Sequence, residues 1–85
     1  MPRNLPEWAH VYRQALAHRI ARLRQEAHYP QDAFARRAGL DRRTYQRIEA
    51  GTADPTYSAL LLIASGLNLT VSELVDIPPP APVEE

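Results

Sequence analysis

The chain has no cysteine and no lysine among its 85 residues, only three glycines, and single copies of methionine, tryptophan and phenylalanine. Without cysteine there is no disulfide to staple a small core and no thiolate site for a metal. No run of about 18 apolar residues occurs, so no segment reads as a membrane span, and the opening MPRNLPEWAH lacks the apolar stretch of a signal peptide. A cytoplasmic protein with no membrane partner is expected. Net charge is missing too, since ten arginines face ten acids. That balance argues against an anionic partner only if the charges are evenly spread.

They are not. From Arg13 to Arg47 there are nine arginines against Glu26, Asp32 and Asp41, a local excess of +6, whereas Glu73 to Glu85 holds four acids and no base. Local potential, not the total, steers an anionic ligand. The exclusive use of arginine fits either selection for its bidentate fork or the codon usage of a GC-rich genome. A single domain of this size buries only about 60–65% of its unfolded surface. Its core must come from well-matched helix packing or from a partner subunit.

Residues 1–5 read as a disordered start. Leu5, Trp8, Tyr12, Leu16, Ile20, Leu23 and Ala27 then recur at steps of three or four, which predicts one long helix from about Pro6 to Ala27. Pro6 suits the first turn, where a missing amide matters little, with Asn4 as a cap. Tyr29-Pro30 breaks the pattern, because a residue before proline avoids the helical region. Helices are expected over about Gln31–Ala38, Arg42–Ala50 and Thr56–Ser65. The fourth has Leu60, Ile63, Ala64 and Leu67 toward the core. Thr70-Val71-Ser72-Glu73 has the form of a capping box and starts a fifth short helix through about Val75. Residues 77–85, proline-rich and acidic, read as a flexible extended tail. The domain is thus placed at 6–76, all-α, with no strand pattern and no repeat.

Gln31–Gly51, QDAFARRAGLDRRTYQRIEAG, holds five of the ten arginines. Phe34, Ala35 and Ala38 share one helical face; Tyr45 and Ile48 share another, leaving Arg42, Arg43, Gln46 and Arg47 elsewhere. Gly39 suits the left-handed residue ending one helix. Asp41 suits the cap starting the next. Two short helices so tightly joined have the outline of a helix-turn-helix.

Three strings, IARLRQE, PQDAFARRAGLDRRTYQRIEAG and DPTYSALLLIASGLNLTVSELV, carry a resemblance to the lambda-repressor/Cro-like (XRE-type) helix-turn-helix family over about residues 16–75. The register rests on Gln31, on Ala35 with Gly39, on Ile48-Glu49-Ala50-Gly51, and on Leu60-Leu61-Leu62-Ile63-Ala64. The resemblance implies a five-helix lambda-repressor-like DNA-binding domain, here with an extended first helix and a disordered proline-rich C-terminal tail. It implies sequence-specific binding to double-stranded DNA in the major groove, as a homodimer on a palindrome.

By the same register, Arg42, Arg43, Gln46 and Arg47 are expected to read bases, an arginine fork matching guanine O6 and N7. Gln31, Thr44, Arg37 and Arg24 are expected near the DNA backbone. Arg24 and Glu49 match a partly buried ion pair tying the first helix to the reading helix. Pro30 departs from the usual serine or threonine cap. Ala50 and the loop Thr52-Ala53-Asp54 are less polar or less basic than is common, which implies few phosphate contacts there and a shallow salt dependence. Trp8, Val11, Tyr12, Leu61 and Leu62 exceed what the common core needs. They are expected to pack the extension across the fourth or fifth helix or onto a second subunit.

His10, His18 and His28 lack partners at ligand spacing, no glycine loop cradles phosphate, and no nucleophile stands beside a base. No enzyme, metal or cofactor is expected. The leading reading is a transcriptional regulator that acts as a repressor, with no room expected at this length for a ligand-sensing domain. The alternative is an antitoxin-type module that neutralises a toxin partner and regulates itself.

Overall fold

The computed structural model describes residues 5–79 and has five helices among them: α1 Glu7–Glu26, α2 Gln31–Ala38, α3 Arg42–Glu49, α4 Tyr57–Gly66 and α5 Val71–Leu74. The all-α reading and the order of elements agree with the sequence. The predicted cap Asn4, the first four residues and the tail beyond Pro79 lie outside the described residues.

Pro6 is the residue before α1 rather than part of its first turn, with φ −60° and ψ 155° and no side-chain cap. The other starts follow their chemistry. Asp41, Thr56 and Thr70 each accept the backbone N–H three residues on. Thr70 and Glu73 complete the capping box, the Thr70 N–H donating to Glu73 Oε1 at 2.9 Å. α2 begins after Pro30 with no side-chain cap.

All four longer helices end in the same device. His28, Gly39, Gly51 and Asn68 take positive φ of 66°, 79°, 76° and 61°. In each case the next residue's N–H returns to a carbonyl five residues back: Tyr29 to Arg24, Leu40 to Ala35, Thr52 to Arg47, and Leu69 to Ala64. This closes orphan carbonyls and turns the chain sharply. Tyr29, Leu40 and Leu69 then pack against the core, so three of the four turns are pinned by an apolar residue as well. The α1 stop is therefore made by His28, two residues before the proline that the sequence reading singled out.

The core consists of Ile20, Phe34, Ala35, Ala38, Tyr45, Ile48, Ala59, Ile63, Ala64 and Leu74. α2 packs on α3 and α4, α1 on α3, and α4 on α5. Phe34 lies at its centre, with ring centroids 5.8 Å from Tyr29 and 5.4 Å from Tyr45. Polar clamps reach across the helices. Arg19 donates from Nε and Nη2 to the carbonyls of Leu74 and Glu73, at 2.7 and 2.8 Å, fixing the C-terminal end of α5 to α1. Arg37 Nε donates to the Gly66 carbonyl at 2.8 Å, and its guanidinium lies 5.2 Å from the Tyr29 ring. Gln14 Nε2 donates to the Gly51 carbonyl at 3.1 Å, and Arg13 pairs with Asp54 at 3.4 Å. The loop after α3 is thus held from α1.

The apolar excess is divided between two places. Leu5, Ala9, Tyr12 and Leu16 line a groove of about 400 Å³ with Pro55, Val75 and Ile77. Leu5 and Ile77, at the edges of the two predicted tails, therefore stand in contact with the fold. Trp8 meets Tyr12 edge-on at 6.1 Å but stays 62% exposed, so it does not pack over the C-terminal helix as one reading expected. Leu61 lines a separate groove with Tyr57, Leu69 and Val71, and Leu62 is exposed. The extension and the surplus leucines of α4 do not meet.

Candidate nucleic-acid interface

α3 is a helix with two unlike faces. Tyr45 and Ile48 are buried, whereas Arg42, Arg43, Thr44 and Arg47 are exposed and Gln46 is half-buried. Asp41 fixes its start by accepting the Thr44 N–H at 3.1 Å. The first turn, with Asp41, Arg42, Arg43 and Gln46, lines an open polar depression. Arg43 and Arg47 are four residues apart and so share a face. Among the described residues neither has an acidic partner within ion-pair distance. Arg42 does: its Nε lies 3.3 Å from Asp32 Oδ1, on the first turn of α2.

The far end of α3 is locked by the Glu49 carboxylate. Arg24 donates from Nε to Oε2 at 2.6 Å and from Nη2 to Oε1 at 3.0 Å; Gln31 Nε2 donates to Oε1 at 2.8 Å; the Tyr45 hydroxyl donates to Oε2. Burial raises the Glu49 pKa, but the hydrogen bonds from Arg24, Tyr45 and Gln31 outweigh it and hold the carboxyl below its ordinary value. The bond to Glu49 raises Arg24, against its own burial. Burial, then the bond to Glu49, keeps the Tyr45 hydroxyl protonated far above its usual range. The charged pair and neutral phenol form one satisfied polar knot.

That knot corrects one expectation. Arg24 was assigned both to this pair and to the DNA backbone, yet its side chain is only 11% exposed, and its Nη1 donates to the Tyr29 carbonyl at 2.7 Å. All three guanidinium nitrogens are engaged inside the domain, so no fork remains for a phosphate. Gln31 opens α2 at a helix N-terminus, where free amides and the positive dipole end favour an anion. One of its amide hydrogens is engaged by Glu49, which orients the side chain. Arg37 is half-engaged with Gly66, a structural role that nothing in the sequence pattern signalled. Asp32 was also missed, because its partner is set by how α2 crosses α3.

The helix-turn-helix family model matches residues 20–74. The chain belongs to that family. Two solved structures are similar to it. One is a helix-turn-helix transcriptional regulator from Vibrio cholerae, 29% identical with a TM-score of 0.71, covering 76% of this chain and 36% of that one. The other is a hypothetical transcription factor, NHTF, from Neisseria, 26% identical with a TM-score of 0.74, covering 92% and 88%. The chain therefore spans little more than a third of the Vibrio protein. No curated protein matches it. The matched span contains α2 to α5, and the part of α1 before residue 20 lies outside it.

Proposed function

We propose that this protein is a sequence-specific regulator of transcription that binds double-stranded DNA through α3. The reading is that it acts in the cytoplasm as a repressor, with two copies placing two α3 helices on a palindromic operator. The observation that carries it is the exposed Arg42, Arg43, Gln46 and Arg47 surface of a helix whose opposite face is locked by Tyr45, Ile48 and Glu49. A rigid support presenting several guanidinium groups is what major-groove readout of guanine needs. Gln31, Thr44 and the free Nη atoms of Arg37 are the candidates for phosphate. Selection of bound duplexes from random sequence tests it. A nearly palindromic site with half-sites one turn, about 34 Å, apart supports the reading; no enrichment contradicts it.

A second reading, a module that binds a protein partner such as a toxin, is favoured by Trp8 and Tyr12, which leave 62% and 42% of their surface exposed. Replacement of Arg42, Arg43 and Arg47 by alanine separates the two. Partner binding that survives it, with no DNA binding in the parent protein, supports the module.

A further inference from the structure

Asp32 and Arg42 face each other across the turn between the two motif helices, Oδ1 to Nε at 3.3 Å. Both side chains are largely exposed, 54% and 69%, so their attraction adds little to stability. The two side chains are in ion-pair range with no hydrogen bond between them among the described residues, so the contact acts through charge and position. A guanidinium offers one edge through Nε and another through its two Nη atoms. A carboxylate on the Nε side leaves the terminal Nη edge for an acceptor outside the protein.

We propose that Asp32 is a positioning residue for base readout. It holds Arg42 from the Nε side, directs the Nη edge toward a guanine, and by its negative charge weakens attachment to DNA through phosphate alone. This rests on the DNA-binding reading above. Arg43 and Arg47 have no such neighbour among the described residues, so restraint falls on one of the three arginines. The nearest alternative acid, Asp41, is occupied by the N–H and hydroxyl of Thr44. An unrestrained arginine gives up conformational freedom when a base orders it, and a restrained one gives up less. Arg42 is therefore the most selective of the three, and Arg43 and Arg47 are the more adaptable.

The test uses the full chain, its Asp32→Asn and Arg42→Ala variants and the double variant, on a selected duplex and all its single-base substitutions. Arg42→Ala first identifies the base pair that depends on this arginine. Asp32→Asn is then expected to lower discrimination at that pair about three- to tenfold. It should leave other positions unchanged and tighten binding to unrelated duplex. In the Arg42→Ala background it should alter discrimination nowhere. Unchanged discrimination in Asp32→Asn overturns the proposal, as does a uniform loss at every position with a lowered thermal midpoint, which marks a merely structural role. A parent protein without preference for any duplex overturns the DNA-binding reading itself, and this inference with it, before any variant is compared.

Discussion

The guanidinium of Arg24, on α1, and the carboxylate of Glu49, the last residue of α3, meet in a two-point contact of 2.6 and 3.0 Å with side chains only 11% and 5% exposed. α3 is thereby tied to the longest helix among the described residues. Removing one partner leaves the other charged and almost buried. Arg24→Met is expected to lower unfolding free energy by about 3–5 kcal/mol, whereas Arg24→Met with Glu49→Met should lose less than the sum of the single changes. Urea denaturation of the three variants measures it.

The same carboxylate sets an acid limit. Its folded pKa lies below the ordinary value of 4.5, so the stability it provides is fully present above that pH. It is lost as pH falls through the lower folded value. Thermal midpoints of the parent are expected to drop below about pH 4.5 more steeply than those of Glu49→Gln. Parallel curves would remove Glu49 from the acid transition.

Helix ends give a graded series. His28 is an exposed non-glycine residue at φ 66°, so His28→Gly is expected to stabilise the fold by up to about 1 kcal/mol. Gly39→Ala meets no neighbour and should cost only the left-handed strain of about 1–2 kcal/mol. Gly51→Ala also places a Cβ 2.5 Å from Gln14 Nε2 and displaces its bond to the Gly51 carbonyl, adding about 1 kcal/mol. Melting curves rank the three, and the difference between the two alanines should vanish in a Gln14→Ala background.

Most of the fold was legible because its signals are local. The Thr70–Glu73 box, the Asp41 cap and Gly39 act within a few residues and fell where the pattern placed them. The face of Tyr45 and Ile48 followed from spacing alone. What escaped depends on how helices cross. Arg37 and Arg19 look alike in sequence, yet each is engaged by a carbonyl on a distant element. The left-handed His28 escaped for another reason: histidine rarely marks a helix end, and the nearby proline offered a stronger signal. Trp8 continues the apolar stripe of α1, but that stripe runs past the end of the core it would cover.

Trp8 and Tyr12 therefore supply a second measurable expectation about assembly. On the proposed two-copy reading, Trp8→Ala with Tyr12→Ala should weaken self-association in sedimentation while shifting the thermal midpoint little, since Trp8 is mostly exposed already. An equally stable dimer would assign the contact elsewhere.

The claim on which the functional reading turns is that exposed arginines of α3 read bases. Affinities of the parent, Arg42→Ala, Arg43→Ala and Arg47→Ala for a selected site and every single-base variant test it most directly. The expected result is loss of discrimination at one guanine-containing base pair for at least one variant, about 1–3 kcal/mol, with other positions unchanged. Uniform weakening across all base substitutions in all three variants, with a reduced salt slope, would make these arginines phosphate contacts and contradict direct readout.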